Sequence, residues 1–357
     1  MNPRPGREQT PIIAVSPYGI DGASSRVRLH DWFEHTGVAS EFYSYLGANN
    51  NQVGTVARHL PQAIRAELGL RRLSRRVAGR TVILSREGSP FSSGGIESSI
   101  LRRAGHAVYD FDDALYADEL ATMSKIWSKR KTWIRSVRAA DVVIAGSDIL
   151  ADAAREYSDN VTVVPSCIEP DEYLVKQDYG IGSAPRAIWI GSPATEPFLI
   201  DIAPALLEMH ARYGLRLTVI SAGDADLGPL GPFVDRVRWS RGTFSADLLR
   251  GDFGVMPLPD TPYTRGKCSY KLLQYAAAGI PLVGSPVGAN DAVLKMLGGL
   301  HATTIEEWVD AASAIIEMST DARARLGASM RTGVVAEFSY ARWTDRWLHA
   351  LDITDGH

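Results

Sequence analysis

A basic loop leads into a helix within the stretch RGKCSYKLLQYAAAGIPLVGSPVGAND, residues 265–291. Lys267 lies just before the expected helix, and Lys271 and Gln274 fall in its first turns. The Gly-Ile-Pro sequence at 279–281 ends the helix, because glycine accepts a positive φ and proline cannot continue a helix. Backbone N–H groups at a helix N-terminus and nearby lysines provide the donors and the positive charge that phosphate groups bind. This segment therefore predicts a site for a phosphate-bearing ligand.

Basic side chains around this helix are the candidates for contact with the ligand phosphate. Lys267 is the first candidate, with Lys271 and Arg265 as close alternatives. Arg241, which follows an earlier strand of the same half, is a further candidate. The opposing interpretation is that each is a solvated surface charge. If the helix already includes Lys267, the two lysines share one face, where like charges repel by roughly a few tenths of a kcal/mol unless an anion offsets them.

An acidic cluster ends a predicted strand in the first half, in the motif YDFDDALY at 109–116. Ligand sites of α/β proteins lie at the carboxyl ends of their strands. Asp112 and Asp113 are candidates for binding hydroxyl groups. The alternatives are a divalent cation held by the Asp-x-Asp element and a structural role as helix caps. Arg86 and Glu87 end another strand and are expected to line the same pocket.

A glycine-bearing loop joins the first predicted strand to a helix. Gly19 and Gly22 permit close approach of the backbone to a ligand, although glycines are common at such turns in any α/β fold. Arg26, in the first turn of the helix, is expected to face a diphosphate or a charged group of a second substrate. Ser24 and Arg28 are candidates for binding that second substrate. The loop lacks the G-x-G-x-x-G spacing of dinucleotide-binding proteins, which counts against an oxidoreductase.

Composition excludes several classes of protein. The chain has 357 residues, of which 45% are hydrophobic, so it can bury a large core, and its length favours two domains. The formal net charge of −3 indicates no general attraction to nucleic acid. Two cysteines are too few for a disulfide framework, and the polar N-terminus lacks the apolar segment of a secretory signal. No apolar run reaches the roughly 18 residues of a membrane span. A cytoplasmic protein is expected.

Short β-branched runs alternate with amphipathic helical stretches, a pattern typical of parallel sheets flanked by helices. The pattern occurs twice. In the first half the expected strands lie at 12–16, 40–45, 81–85, 107–111, 142–145 and 161–164, with helices at 25–35 and 124–138. In the second half the expected strands lie at 187–190, 216–220, 237–239, 253–256 and 281–283.

The fold class is therefore α/β, with two Rossmann-like domains that each contain a doubly wound parallel sheet. The expected boundaries are 1–175 for the first domain and 176–337 for the second, with a polar connector at 177–185. A final helix at 338–353 carries tryptophans at helical spacing and is expected to pack back on the first domain.

The chain resembles the retaining glycosyltransferases of family four, which have the GT-B architecture of two Rossmann-like domains facing each other across a cleft. The resemblance covers nearly the whole length. It rests on the segments SSRVRLHDW (24–32), YDFDDALY (109–116), ADVVIAGSDILADAAREY (140–157), VTVVPSCIEPDEY (161–173) and KLLQYAAAGIPLV (271–283). The last of these is the most specific.

The resemblance implies that the second domain binds a nucleoside diphosphate sugar and the first an acceptor with a hydroxyl group, without a metal or other cofactor. It implies front-face attack with retention, in which the leaving phosphate oxygen accepts the acceptor's proton. The donor-binding candidates are then Gly19, Gly22, Arg26, Gly191, Ser192, Thr195, Arg241, Lys267, Lys271 and Gln274. The acceptor-binding candidates are Ser24, Arg28, Arg86, Glu87 and Asp112. The catalytic candidates are Asp112, Asp113 and Lys267.

The sequence departs from the family pattern at two places. Many relatives carry two glutamates separated by seven residues, where this chain has Gly266 and Gln274. Glutamine offers one neutral carbonyl acceptor in place of a carboxylate. Many relatives also carry an arginine and a lysine after the first strand of the second domain, where GSPATEPFLID at 191–201 has neither. Ser192, Thr195 and backbone N–H groups at the next helix N-terminus are expected to meet the anion instead.

Two alternative functions stay open. A nucleotide-sugar epimerase on the same fold would need an acid–base residue in the donor cleft and no acceptor pocket. A non-catalytic nucleotide-sugar-binding protein would keep the fold and lose turnover, which Gly266 and Gln274 favour.

Arginines crowd the segment 58–80, in which Glu67 is the only acid and leucines recur between the arginines. A basic amphipathic helix of this kind can lie on an anionic membrane surface. The alternative is a solvated helix whose apolar stripe packs on the first domain. Peripheral contact with the inner face of a membrane is therefore a further expectation.

Overall fold

The chain folds as two compact units. The first combines Met1–Pro165 with Trp343–His357, and the second is Ser166–Arg342. The sequence-based boundary lies later, at 175. The structure is a computed structural model, which describes residues 10–47, 59–117 and 127–353.

The first unit contains a parallel sheet. Its strands are β1 (Ile12–Ser16), β2 (Ser40–Ser44), β3 (Thr81–Ser85), β4 (His106–Phe111), β5 (Val142–Ala145) and β6 (Val161–Val163). They lie in the order β2-β1-β3-β4-β5-β6. Because β1 pairs with β2 on one side and β3 on the other, the direction in which the chain adds strands reverses between β1 and β3. Ligands of open α/β sheets bind at the carboxyl ends of the strands beside such a reversal.

Helices connect these strands. They are α1 (23–36, made of Ala23–Ser25, the π-helical Arg26–His30 and Asp31–Thr36), α2 (Leu60–Arg76), α3 (Gly95–Arg103), α4 (Lys129–Val137) and α5 (Asp148–Arg155). Local sequence sets their ends. Ser128 caps α4 by accepting a hydrogen bond from the Lys131 N–H at 3.2 Å, and Gly37 ends α1 in the left-handed conformation.

The second unit repeats this architecture. Its strands are β7 (Arg186–Ile190), β8 (Arg216–Ser221), β9 (Val234–Arg238), β10 (Phe253–Met256), β11 (Leu282–Gly284) and β12 (Leu300–His301). They lie in the order β12-β11-β10-β7-β8-β9, and every pairing is parallel. The reversal in this sheet falls between β7 and β10.

The helices of the second unit flank its sheet. Two apolar clusters of buried residues join the helices to the strands. They are α6 (Phe198–Asp201), α7 (Ala203–Tyr213), α8 (Phe244–Leu248), α9 (Tyr270–Ala277), α10 (Ala289–Leu297), α11 (Ile305–Glu317) and α12 (Thr320–Phe338). A capping box at Thr304 and Glu307 starts α11.

The C-terminal helix α13 (Tyr340–Ala350) carries the chain back to the first unit. Trp347 stacks on Trp32 of α1, with 5.0 Å between ring centroids, and meets Phe33 edge-on at 5.1 Å. Both tryptophans are fully buried. Their burial fixes α13 against α1, since large aromatic side chains contribute most of the apolar area that such a contact removes from water.

The predicted elements agree with the structure except at short or edge elements. β9 begins three residues before its predicted start at 237, and the two-residue β12 has no counterpart among the predictions. A strand that short shows no alternation in the sequence. The helix predicted at 124–138 begins at Lys129, and positions 124–126 lie outside the described residues.

Within the part of the chain that the structure describes, no helix combines the length and the apolar character needed to cross a membrane.

Candidate functional site

The reversal in the second sheet is held by one tyrosine. β7 and β10 pair directly over only two residues. The next backbone groups are bridged by the Tyr275 hydroxyl of α9, which accepts from the Ile190 N–H and donates to the Val255 carbonyl, each at 3.1 Å. Burial raises the pKa of Tyr275 above its ordinary value, so the hydroxyl stays protonated and keeps its donor. Open α/β sheets bind ligands in a crevice at the carboxyl ends of the strands beside such a reversal, and the Tyr275 hydroxyl joins the two strands that would border it.

Glycine makes room for that tyrosine. A Cβ on Gly254 of β10 would lie 2.4 Å from the Tyr275 ring, closer than any real Cβ contact. The ring therefore rests directly on the β10 backbone.

Lys271 lies at the carboxyl end of β7. Its Cε would be 2.6 Å from a Cβ on Gly191, and its Nζ lies 5.3 Å from the centre of the Trp189 ring. Two predicted donor-binding residues, Lys271 and Gly191, are thus in contact beside the reversal. The absence of a side chain at Gly191 is what allows the lysine stem to cross the backbone there.

Lys267 lies before the helix, as the sequence indicates, so the condition under which the two lysines would share one helical face is not met. Ser269 adopts a left-handed conformation with φ of 58°, and α9 begins only at Tyr270. Lys267 itself is extended, with φ of −75° and ψ of 139°, and its Nζ lies 4.7 Å from the centre of the Tyr263 ring. The repulsion argument for a shared anion site therefore does not apply.

Ser269 occupies the N-cap of α9 with an unusual combination of properties. A left-handed conformation is uncommon for a residue other than glycine, asparagine or aspartate. Its side chain is 1% exposed, and among the described residues its Oγ has no hydrogen-bond partner. A buried hydroxyl of this kind normally finds an acceptor. The hydroxyl is therefore available as a donor at the helix N-terminus.

The loops that follow β10 and β11 contact each other or their neighbours at the carboxyl ends of the strands. Ser285 accepts a hydrogen bond from the Leu258 N–H at 3.1 Å, which ties the end of β11 to the loop after β10. A Cβ on Gly288 would lie 2.0 Å from the Arg265 carbonyl oxygen, so the turn before α10 packs directly on the Lys267 loop. Arg265 is exposed and paired with Asp260 at 2.6 Å.

The loop after β7 offers fewer backbone donors than expected. Pro193 and Pro197 carry no N–H, and they restrict the segment to a 3-10 turn and the four-residue α6. Thr195 is buried, and its hydroxyl donates to the Ser192 carbonyl at 3.1 Å. The segment expected to present a helix N-terminus is thus a 3-10 turn followed by the four-residue α6, and Ser192 is the exposed hydroxyl of the loop.

Two other donor-binding candidates differ from Lys271 and Gly191. Arg241 lies away from the reversal, and Gln274 is buried. Arg241 follows β9, the edge strand, which β8 separates from β7, and it pairs with Glu172 at 3.2 Å. Gln274 lies in α9 and is 5% exposed.

In the first unit, four predicted residues meet at the carboxyl ends of β3 and β4. Arg86 Nη1 donates to Asp112 Oδ1 at 2.9 Å, to Asp113 Oδ2 at 2.5 Å and to Ser24 Oγ at 3.2 Å. Ser24 Oγ in turn donates to Asp112 Oδ2 at 2.8 Å. The group lies beside the reversal of the first sheet, as the strand order requires.

The backbone at Arg86 is held in an uncommon state. Its φ is 64°, and two hydrogen bonds fix it: its N–H donates to the Asp110 carbonyl and its carbonyl accepts from the Tyr109 hydroxyl, each at 2.8 Å. Backbone strain of this kind costs about 1 to 3 kcal/mol and persists where neighbours over-determine it. The conformation aims the guanidinium at the two aspartates.

The Tyr18 hydroxyl lies near the charges of this group. Burial raises the pKa of its hydroxyl, which also senses the charges of Arg86, Glu87, Lys129 and Asp113. Tyr18 therefore lies within electrostatic reach of the predicted acceptor residues.

Arg28, another acceptor candidate, lies in the interior. Its Nη2 donates to Asp110 Oδ1 at 2.5 Å and its Nη1 to the Val164 carbonyl at 2.8 Å. Ser85 donates to the other Asp110 oxygen at 3.0 Å. Burial acts to raise the pKa of Asp110, and the Arg28 guanidinium opposes this. The interactions of Arg28 are those of a structural residue, and both Asp110 oxygens are occupied.

The glycine loop serves the chain's own packing. A Cβ on Gly19 would lie 2.5 Å from the Gly47 carbonyl oxygen, and one on Gly22 would lie 2.5 Å from the Tyr18 Cβ. The expected close approach is therefore to neighbouring backbone and side chain. Arg26, in the π-helical turn, is 3% exposed and lies 3.7 Å from Asp31.

No group of three or more histidine, cysteine, aspartate or glutamate side chains in the described ranges is arranged to hold a metal ion.

Solved structures identify the fold. The chain matches an α,α-trehalose-phosphate synthase (UDP-forming) from Burkholderia vietnamiensis with a TM-score of 0.67 at 11% identity, covering 97% of this chain and 100% of that one. It matches the E. coli trehalose-6-phosphate structure bound with UDP-2-fluoro glucose with a TM-score of 0.64 at 13% identity, covering 96% and 99%. The chain has the GT-B fold.

A third GT-B structure matches over a smaller share of both chains. A point mutant of TarM from S. aureus, in complex with Fondaparinux, alpha-GlcNAc-glycerol and UDP, gives a TM-score of 0.58 at 11% identity and covers 80% of this chain and 58% of TarM. No protein-family model matches the sequence, and a search of curated proteins finds no relative.

Three residues near the carboxyl ends of the strands, Tyr18, Tyr275 and Ser269, are not among the candidates that the sequence predicts. Tyr18 directly precedes Gly19, and its position two residues after β1 is the signal that could have identified it. Tyr275 lies in an apolar run, which indicates core packing. Ser269 gives no sequence signal, because serine rarely takes the left-handed conformation that it has here.

Tyr275→Phe is expected to lower the free energy of unfolding by about 2 kcal/mol, because the Ile190 N–H and the Val255 carbonyl lose a buried partner. Urea denaturation measures the loss. Tyr213→Phe is the control, since that hydroxyl contacts Glu317 at the surface and its removal should change stability by no more than about 0.5 kcal/mol. Equal losses in the two variants would show that the Tyr275 bridge contributes nothing.

Proposed function

We propose that this chain is a retaining, metal-independent glycosyltransferase that moves a sugar from a nucleoside diphosphate to an acceptor hydroxyl. The observation that carries the proposal is the contact of Lys271 with Gly191 at the carboxyl end of β7, the strand that Tyr275 joins to β10. The names of the structural neighbours support it: one is a UDP-forming synthase, one is bound with UDP-2-fluoro glucose, and one contains UDP.

The proposed donor site supplies positive charge and hydrogen-bond donors for the negative charge that develops on the leaving diphosphate. Transfer builds negative charge on the departing diphosphate and positive character at the anomeric carbon. Lys271 and Lys267 supply cations, and the Ser269 hydroxyl with the N–H groups of the first turn of α9 supplies donors. In the proposed front-face course, the leaving phosphate oxygen takes the acceptor's proton, so no side chain is assigned as the base.

The proposed acceptor site is the group around Arg86 in the first unit. Arg86 and Ser24 position Asp112 and Asp113. A carboxylate has about four lone-pair sites, so each aspartate can also accept a hydrogen bond from an acceptor hydroxyl. Glu87 and Tyr18 follow the carboxyl ends of β3 and β1.

A second candidate function is a nucleotide-sugar-binding protein without turnover. It is favoured by Gly266 and Gln274, because neither supplies the carboxylate that many family-four enzymes have at these positions. In both functions the donor site is the same, so binding alone does not separate them.

The first test is a thermal-shift series with nucleoside diphosphates and their sugars, with and without EDTA. A bound ligand at about a hundredfold excess over its Kd adds about 2.7 kcal/mol, which raises Tm by several degrees. We expect one base to give that rise and EDTA to leave it unchanged. No rise with any nucleotide would contradict the proposed donor site, and a rise abolished by EDTA would contradict metal independence.

The second test separates transfer from binding. The donor found by thermal shift is incubated with a panel of hydroxyl-bearing acceptors, and products are followed by mass spectrometry and NMR. A new glycoside with the donor's anomeric configuration is the expected product. Inversion would overturn the retaining course, isomerisation of the donor without acceptor would identify an epimerase, and binding with neither product would identify a binding protein.

The proposal extends to location. Peripheral contact with the cytoplasmic face of a membrane through the basic segment 58–80 would bring the enzyme to acceptors held at that surface.

A further inference from the structure

An apolar row lies exposed along α2. Leu60, Ile64 and Leu68 follow one another at four-residue intervals and are 57%, 55% and 45% exposed. Residues four apart are neighbours on a helix surface, so the three side chains form one continuous stripe. The opposite side of α2 supplies the contacts with the unit's core, through Ala63, Leu70 and Leu73. The exposed stripe is therefore separate from the face that packs.

Arginines continue the same row. The next positions at the same interval are Arg72 and Arg76, and Arg71 and Arg75 lie beside them on the exposed surface. Among the described residues, Arg71, Arg72 and Arg75 form no ion pair, whereas Arg76 lies 3.6 Å from Glu41. One face of α2 thus passes from apolar to cationic along its length.

The only carboxylate of α2 is turned away from this face. Glu67 accepts from the Tyr45 hydroxyl at 3.0 Å and also bonds to the Ser89 hydroxyl. Glu41 of β2 is shared by Arg76 and Arg80. The positive charges of Arg71, Arg72 and Arg75 are consequently not neutralised by the elements that pack against α2 in the described part of the chain.

We propose that this face of α2, defined by Leu60, Ile64, Leu68, Arg71, Arg72 and Arg75, docks on an anionic lipid bilayer. Partial insertion of the leucine and isoleucine side chains removes apolar surface from water, and the arginines meet lipid phosphates. Nucleic acid would use the charges but leave the apolar row in water. A second copy of the chain would bring like charges together. The docking face does not depend on the sugar-transfer proposal.

The test is sedimentation of the full chain with vesicles of phosphatidylcholine alone or mixed with phosphatidylglycerol. We expect binding to the mixed vesicles that weakens as salt rises, and little binding to phosphatidylcholine alone. Two triple variants should each lower the partition coefficient at least tenfold. The apolar variant is Leu60→Ser, Ile64→Ser and Leu68→Ser. The charge variant is Arg71→Gln, Arg72→Gln and Arg75→Gln.

Matched controls remove the same chemistry elsewhere on the surface. The apolar control is Ile200→Ser, Leu207→Ser and Met296→Ser, whose side chains are 44%, 37% and 53% exposed. The charge control is Arg102→Gln, Arg238→Gln and Arg325→Gln, all at exposed positions. Both controls should bind vesicles like the parent chain, and circular dichroism verifies that every variant is folded.

Three results would overturn the proposed docking face. The first is no binding of the parent chain to mixed vesicles. The second is equal binding of the α2 variants and their controls. The third is binding to a DNA duplex that the charge variant loses and the apolar variant keeps, without vesicle binding, which would identify a nucleic-acid surface. A chain that binds vesicles but no nucleotide would retain the docking face and lose the proposed transferase function.

Discussion

Lys271→Met is expected to lower kcat/KM for the donor about a hundredfold and to change the free energy of unfolding by no more than about 1 kcal/mol. Methionine keeps an apolar stem over Gly191 and Trp189 and removes only the ammonium group. One preorganised group aimed at developing negative charge is worth about 10² to 10³ in rate. Steady-state kinetics with the donor identified by thermal shift, and urea denaturation, give the two quantities.

Lys295→Met is the matched control for this variant. Lys295 lies on α10 and pairs with Asp291 at the surface, 2.6 Å away, so its loss removes one positive charge from the same unit without touching the crevice. Its kcat/KM should equal that of the parent. Lys267→Met is the comparator. A larger loss with Lys267→Met than with Lys271→Met would place the phosphate site at the loop before α9 and not at the carboxyl end of β7. Parent-like kinetics for both variants would show that the diphosphate binds at neither position.

The strands were the most predictable part of the fold. A strand buried on both faces of a parallel sheet is a continuous apolar run, and polar or turn residues bound it on each side. The predicted and observed bounds are identical for β1, β3, β5 and β10. The agreement weakens for β9, whose residues alternate between exposed and half-buried, because its outer edge has no neighbouring strand.

The group around Arg86 was predictable for a related reason. β3 and β4 pair in register, with Ser85 opposite Asp110, so residues just beyond the two strand ends must lie close together. Arg86, Asp112 and Asp113 are such residues, and the structure joins all three. Sequence position along a parallel strand thus carries information about contacts with the next strand.

The roles of Arg28 and Tyr275 could not be predicted, because their partners are distant in sequence. Arg28 bonds to Asp110, 82 positions away, and to Val164, 136 positions away. Tyr275 bonds to Ile190, 85 positions away. An arginine near a glycine loop suggests a ligand contact, and a tyrosine in an apolar run suggests core packing. Only the arrangement of the strands decides which polar atoms they meet.

Arg28→Met is expected to lower the free energy of unfolding by about 3 to 5 kcal/mol, because it leaves the Asp110 carboxylate buried without its cation. Both side chains of the pair are 1% exposed, so solvent cannot replace the lost partner. The Val164 carbonyl loses a donor in the same change. Urea denaturation of the parent and the variant measures the difference, and the m-value shows whether unfolding stays two-state.

The double variant Arg28→Met, Asp110→Leu is the control for this interpretation. Replacing both members of a buried ion pair by apolar groups is often close to neutral, so the double variant should recover most of the stability, apart from about 1 to 2 kcal/mol for the hydrogen bonds lost by Val164 and Ser85. Recovery would assign Arg28 to the scaffold that carries Ser24 and Asp112. If the single variant kept the parent's stability and instead lost acceptor affinity, Arg28 would be a ligand of the acceptor, and the buried pair would contribute nothing to the fold.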